Sequence, residues 1–292
     1  MPKLQTRRLG QTEMQPKALA MGAAWICHAE ESETIEGIQR AYELGINFFD
    51  TYPGHAEERW GEALAGIDRD SYYLQAKVGT HPDRSKDFSA EGTRWSVENS
   101  LKSLRVDHLD TVLVHDPLDI EVILQPRGCL NELLRMKNEG LIRHIGFGCR
   151  PHDFHARAIE TGCVDLLLTF LDYTLLDQSV IRTTFQHAKL ADVGLILASP
   201  LGMGRLTGIE PDAEADRRKW NRDPLAQRMW EWCRVRGVDI KTFAFYFCLN
   251  APVESIVMFG PADRQQIEEG VAAATAEVDE EAWKDFCEEF EL

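Results

Sequence analysis

Three ionisable residues of different kinds each follow an apolar, strand-like run: Asp50 after NFF, Lys77 after YLQA and His115 after TVLV. Where parallel strands close into a barrel, residues at the strand C-termini converge on one cavity. An aspartate and a lysine buried there must pair, because each alone would carry the full cost of desolvation. A histidine beside them completes a set able to give, take and steer a proton. Such a set serves acid–base chemistry on a polar substrate. Positions 148–150 (GCR), Ser199 and Gly260 stand at the ends of similar runs.

The elements that must position these residues are legible in the hydrophobic pattern. Eight short apolar runs recur, at residues 18–21, 47–49, 72–76, 111–114, 144–147, 166–169, 195–198 and 255–259. Between them the apolar residues take a helical period. Ile35, Ile38 and Tyr42 share one face, as do Val97, Leu101 and Leu104, and Leu130, Leu133 and Leu134. Gly45, Gly140 and Gly162 stand where these helices would stop. Strands alternating with helices imply parallel strands joined by right-handed crossovers, and eight units in 292 residues predict an α/β fold, a (β/α)8 TIM barrel.

Residues 4–9 and 13–17 read as an N-terminal β-hairpin that would plug the barrel's bottom. Residues 277–292, with Trp283, Phe286 and Phe290 at helical spacing, read as a C-terminal helix. No repeat, low-complexity tract or linker interrupts the chain, so residues 1–292 are expected to form a single barrel domain. Two polar stretches, GTHPDRSKDFS (79–89) and GIEPDAEADRRKWNRD (208–223), follow the third and seventh runs as lid candidates.

Composition limits the partners. Lys+Arg 32 against Asp+Glu 48 leaves a net charge of −16, which argues against nucleic acid or an anionic membrane but leaves room for a local basic pocket. No apolar run reaches the roughly 18 residues a membrane span needs, and MPKLQTRRLG lacks a signal peptide's apolar core. A cytoplasmic location is expected. Seven scattered cysteines without a CxxC pair read as free thiols. His152 and His155 lack a third ligand and read as a surface pair on a helix, so no metal site is expected. Cys149 beside Arg150 would have a lowered thiol pKa, but no partner base stands near it in sequence.

With these pieces in order, the chain resembles the aldo-keto reductase superfamily over essentially its whole length. The resemblance rests on Arg8-Leu9-Gly10, AYELGINFFDT (41–51), EERWGEAL (57–64) and LQAKVG (74–79). It continues through SLKSLRVDHLDTVLVHDP (100–117), GLIRHIGFG (140–148), DYTLLDQ (172–178) and SPLGMGRLTG (199–208). VHDP and YTLLDQ look most like the sugar and lactone dehydrogenases acting on fucose-type aldoses. Gly202 and Gly204 belong to this motif and are no Rossmann fingerprint. The resemblance implies an Asp–Tyr–Lys–His tetrad: Tyr protonates a carbonyl oxygen as hydride arrives from a nicotinamide, Lys and Asp depress the Tyr pKa, and His orients the carbonyl. Asp50, Lys77 and His115 match.

The tyrosine does not. His55 stands at its position, and the stretch before Glu57 is shorter than usual. His55 beside Lys77 would be held neutral by that cation, an effect Asp50 would offset. Tyr52 is the second candidate donor, because positions 50 and 52 of an extended chain face the same way. On the cofactor side, Arg150 would donate to a nicotinamide carboxamide where the family has an Asn. Ser199 and Leu201 match the pyrophosphate path, and Gly260, Gln266 and Glu269 keep the tail motif. Ala262, Asp263 and Gly270 replace the family's frequent 2′-phosphate ligands, with Arg264 alongside. A carboxylate at Asp263 would repel a phosphate and accept from a free ribose hydroxyl, which leans NAD(P)H toward NAD(H).

Trp25, His28 and His81 are expected to line the mouth, and aromatic plus polar groups suit a small-molecule carbonyl or sugar substrate. The expected function is hydride transfer between a nicotinamide cofactor and a sugar-like or small aldehyde or ketone. The alternative is a non-redox lyase, dehydratase or isomerase using Asp50, His55, Lys77 and His115 with no nicotinamide. A third reading is a binding subunit that keeps the barrel. What separates them is whether residues 148–150 and 260–270 form a dinucleotide groove. No motif speaks to the oligomeric state.

Overall fold

The computed structural model describes residues 3–211 and 223–292. Its strands are β1 (Leu19–Gly22), β2 (Phe48–Asp50), β3 (Tyr73–Val78), β4 (Leu109–His115), β5 (Ile142–Gly148), β6 (Leu166–Phe170), β7 (Gly194–Ala198) and β8 (Ser255–Phe259). Each pairs in parallel with the next, and β8 returns to β1, closing the expected (β/α)8 barrel. Every apolar run read from the sequence is one of these strands. Helices occupy the crossovers, and the three glycines expected to end helices all have positive φ.

Alternation along the strands sets the height of each residue in the barrel. Ala20, Phe48, Leu113, Leu166, Leu168, Ile196 and Ile256 point inward and form one buried apolar cluster. Two residues further along, Phe48 is followed by Asp50 and Leu113 by His115, while Gln75 is followed by Lys77. The ionisable groups thus sit one layer above an apolar floor, at the end where the strands finish. The outward-facing residues, such as Val112, Val114, Leu195 and Leu197, pack against the helical sheath.

The N-terminal hairpin is smaller than expected. One antiparallel bridge, Thr6 to Lys17, replaces two strands, because the chain turns through a short 3-10 helix, Gly10–Thr12, between them. Gly10 backs onto Gly194 so closely that a Cβ would stand 2.2 Å from its nitrogen. The plug itself is real: Leu9 and Met14 join the barrel's inner cluster from below, each burial contributing about 1.5–3 kcal/mol.

The terminal helix, Glu280–Phe290, is capped by Asp279 and buries Phe286 against Trp232 and Phe243. Its contacts are with the helices Pro224–Arg236 and Ile240–Leu249, on the outside of the barrel. The lid candidate at 79–89 is well anchored: Phe88 is buried under Gly79, Lys86 N donates to Gly79 O, and Arg84 lies over Trp95. Most of the candidate at 208–223 lies outside the described residues. Among those residues no helix is long and apolar enough to cross a membrane.

Candidate active site

Asp50 and Lys77 form a buried ion pair, with Lys77 Nζ 2.6 Å from Asp50 Oδ2. The second oxygen, Oδ1, accepts from Gln75 Nε2 at 2.7 Å, and Lys77 also donates to the carbonyl of Thr51 at 2.5 Å. The register explains the arrangement: Asp50 pairs with Gln75 across β2 and β3, and Lys77 stands two residues above Gln75 on the same face. Every hydrogen bond that holds the carboxylate comes from the neighbouring strand. Removing the lysine alone would leave a buried, half-satisfied anion.

His115 ends β4 beside this pair. Burial, with Lys77, Lys86 and Arg150 nearby, pushes its pKa down to about 3. It is therefore a neutral imidazole with one N–H to give. Tyr52 stands between the two groups: Lys77 Nζ lies 5.3 Å from the centre of its ring, and the His115 ring meets it edge to face at 5.9 Å. The lysine charge lies over the ring and makes no hydrogen bond to the hydroxyl. Burial, Asp116 and Asp50 raise the Tyr52 pKa, the reverse of the depression a lysine-assisted phenol would show.

His55 is placed differently. The backbone turns back on itself between residues 52 and 55, His55 N donating to Tyr52 O, and the imidazole packs edge to face against Tyr52 at 4.9 Å. It does not line the cavity onto which Asp50, Tyr52, Lys77 and His115 open. Its pKa is lowered as expected, but the cause is burial with His28 and His81, not Lys77.

His28 and His81 also stand outside the lining, which corrects their expected place at the mouth. The His81 ring accepts from Asp83 N, capping the turn Pro82–Arg84, and packs against Trp95. That anchorage turns it toward the helix Ala90–Leu104. His28 closes the short 3-10 turn Ile26–His28 and is exposed. Trp25 does line the cavity, near Gly260.

That cavity, about 1050 Å³, runs from the barrel mouth along β7 and β8 to the helix Arg264–Ala274. Arg150, Ser199, Leu201, Gly260, Asp263, Gln266 and Glu269 all line it. Asp263 caps the helix, accepting from Gln266 N at 2.8 Å, while Gln266 Oε1 accepts from Ala262 N. Two cations in the same wall are already paired, Lys241 with Glu269 at 2.6 Å and Arg205 with Asp223 at 2.9 Å. The Ser199 hydroxyl and the Arg205 guanidinium in the groove's lining suit a pyrophosphate. The carboxylates and amides at its far end suit ribose hydroxyls. The residues fit a nicotinamide dinucleotide.

Several contributors were not read from the sequence. Gln75 is one, though its place two residues before Lys77 on an inward face marks it. Asp116 lines the cavity directly after His115. Glu57 is wholly buried beneath the site, accepting from Thr51 Oγ1 at 2.7 Å and Ser100 Oγ at 3.0 Å, and burial pushes its pKa up to about 7. Two expectations are overturned. Burial and the nearby carboxylates of Asp116, Asp153 and Asp172 push the Cys149 thiol up to about 12, so it is no nucleophile. His155 is fully buried: it donates to the carbonyl of Cys149 and meets Thr184 Oγ1 at 2.8 Å, while His152 pairs with Asp172. Among the described residues no group of three or more His, Cys, Asp or Glu side chains could hold a metal ion.

A closed parallel barrel with a buried Asp–Lys pair, a neutral histidine and a phenol at its C-terminal mouth, continuous with a groove whose lining suits phosphates and ribose, fits an oxidoreductase of the nicotinamide-dependent barrel class. The sequence model of the Aldo/keto reductase family matches residues 18–288, and the chain belongs to that family. L-galactose dehydrogenase of Arabidopsis thaliana is 30% identical over 296 residues, covering 94% of this chain and 89% of its own. D-threo-aldose 1-dehydrogenase of a Pseudomonas species is 24% identical, covering 93% of each chain. An aldo-keto reductase of Bacillus halodurans, solved in its holo form, superposes with a TM-score of 0.81 at 20% identity, covering 98% of this chain and 96% of its own.

Proposed function

We propose that the chain oxidises the hemiacetal carbon of an aldose, or reduces the corresponding carbonyl, with NAD(H) as the preferred cofactor. One observation carries this reading. A single cavity joins Asp50, Tyr52, Lys77 and His115 to Ser199, Leu201, Gly260, Asp263, Gln266 and Glu269. Two relatives named for oxidation of sugars support the substrate class.

In this reading Tyr52 is the proton donor to the carbonyl oxygen. Its raised pKa keeps the hydroxyl protonated through the neutral range. His115, neutral, donates its N–H to the same oxygen and orients it. Lys77 holds the Tyr52 ring through its face, and Asp50 with Gln75 holds Lys77 in place. The bound nicotinamide supplies or accepts the hydride. Ser199, Leu201 and Arg205 would hold the pyrophosphate, Gly260 and Trp25 would flank it, and Arg150 stands at the nicotinamide end of the groove. Asp263 and Glu269 would accept from the adenosine ribose, and their charge disfavours a 2′-phosphate there.

The non-redox alternative required Asp50, His55, Lys77 and His115 around one cavity. With His55 outside the lining, that set of four does not face a common substrate. Fluorescence and calorimetric titration with NADH and NADPH tests the proposal, followed by rates with a panel of aldoses. Micromolar NADH binding with turnover supports it. No binding of either nucleotide at millimolar concentration overturns it.

A further inference from the structure

Among the described residues lining the cavity, one cation has no carboxylate to neutralise it. Among the described residues lining it, Lys77 pairs with Asp50, Lys241 with Glu269 and Arg205 with Asp223, whereas no carboxylate stands within ion-pair distance of Arg150. In a chain with a net charge of −16, an exposed guanidinium inside the site that pairs with no described carboxylate is an exception that calls for a ligand.

Arg150 is also held ready. Its guanidinium carbon lies 5.1 Å from the centre of the Phe170 ring, another wall of the cavity. Stacking occupies a face of the guanidinium and leaves its edge, which carries the N–H fork, for a planar partner. The backbone just before it is fixed from beneath, where buried His155 donates to the carbonyl of Cys149 at 2.9 Å. A preorganised fork with no hydrogen-bond or ion-pair partner among the described residues is the arrangement that recognises a carboxylate through two parallel hydrogen bonds.

The groups around it narrow the ligand further. Lys86, whose ammonium donates to the carbonyl of Asp116, adds a second cation near His115. Asp116 lines the same cavity and carries the opposing charge. A simple anion would meet Asp116 unfavourably. A polyhydroxylated one would not, because its hydroxyls donate to Asp116 while its carboxylate accepts from Arg150.

We infer that the substrate is an anionic sugar of the hexuronic acid type, with Arg150 as the residue that selects for its carboxylate. The inference rests on the oxidoreductase reading for the reaction itself. Oxidation at C1 would pass a hydride to NAD+ and release the anomeric hydroxyl proton, leaving the lactone of an aldaric acid.

The test compares galacturonate and glucuronate with galactose and glucose on the full chain, its Arg150→Met variant and its Arg150→Lys variant. Binding is measured by calorimetry with NADH present and absent, and turnover by initial rates with NAD+. The uronates are expected to bind the unmodified chain about 10- to 100-fold more tightly than the parent hexoses, as a charge-assisted bidentate contact confers. Arg150→Met should abolish that ratio, and Arg150→Lys should keep part of it. Equal binding of uronate and hexose, or no uronate binding at millimolar concentration, overturns the inference. So does a loss of NADH affinity in Arg150→Met with the uronate ratio intact, since the fork then belongs to the cofactor. Discrimination without turnover would leave the carboxylate site standing and sink the redox reading. Turnover of hexoses without discrimination would do the reverse.

Discussion

Replacing Tyr52 with phenylalanine removes one hydroxyl and leaves the ring. The hydroxyl makes no hydrogen bond to any described residue, so the ring's contacts with Lys77 at 5.3 Å, His55 at 4.9 Å and His115 at 5.9 Å should survive. Stability should change by less than about 1 kcal/mol, as for substitutions that disturb neither packing nor a buried polar contact. A lost general acid, in contrast, costs roughly 10²- to 10⁴-fold in rate, or about 2.7–5.5 kcal/mol of barrier. The gap between those two magnitudes makes the variant informative.

The pH dependence supplies an independent check. The Tyr52 pKa is raised from 10, so its proton is retained through neutrality, and reduction of an aldehyde should hold level until the pH approaches that value. The His55 pKa is lowered from 6.5, so as an acid it would lose its proton, and the enzyme its rate, as the pH rises through a value below 6.5. Reduction rates followed at the nicotinamide absorbance across this range, for the unmodified chain, Tyr52→Phe and His55→Ala, separate the two. A rate that declines through acidic pH, survives Tyr52→Phe and is lost in His55→Ala would refute the assignment of Tyr52.

Glu57 should couple stability to pH. Its folded pKa, raised to about 7 from 4.5, favours the protonated acid, so its contribution is full below 4.5 and is lost as the pH rises through 7. Relative to Glu57→Gln, the unmodified chain should lose about 2–4 kcal/mol between those limits, read from urea unfolding at pH 4.5 and pH 8; a constant difference would count against it. Lys77→Met should cost about 3–5 kcal/mol by stranding Asp50, and adding Asp50→Asn should recover much of that, measured in the same way. No recovery in the double variant would place the cost elsewhere. Asp263→Asn keeps a side chain able to cap the helix while removing its charge. It should bring NADPH affinity several-fold closer to that of NADH, and an unchanged ratio in parallel titrations would remove Asp263 from cofactor choice.

The barrel and its reacting layer were legible because both follow from the two-residue alternation of strands. Once NFF, YLQA and TVLV are strands running in one direction, Asp50, Lys77 and His115 have no other place to be. What loops do with a side chain is decided by contacts distant in sequence, which local pattern does not carry. His81 is turned by Trp95, and His155 is buried by Thr184 and the returning backbone at Cys149. Glu57 reads as an ordinary acidic residue in a helix's first turn, and only the folded chain brings Thr51 and Ser100 to it. The hairpin is shorter than its sequence pattern for a related reason: Gly10 lies close against Gly194 in a 3-10 turn where strand pairing would otherwise continue.

The place of His55 outside the cavity and that of Tyr52 in its lining have one cause. The helix Glu57–Ala63 begins immediately after Ala56, which adopts a left-handed conformation at φ 60°. Glu57 is tied to Thr51, the residue next to Asp50, by a 2.7 Å hydrogen bond. The chain therefore has only residues 52–56 in which to leave the strand and enter the helix, and it does so in one tight turn closed from His55 N to Tyr52 O. A turn so short cannot carry residue 55 back over the mouth, so His55 falls on the side shared with His28 and His81. Tyr52, two residues past the end of β2, lines the cavity beside Asp50. A longer connection would free residue 55 to return. The brevity of the turn, fixed by the buried Glu57, is thus what puts a phenol from position 52 between Lys77 and His115.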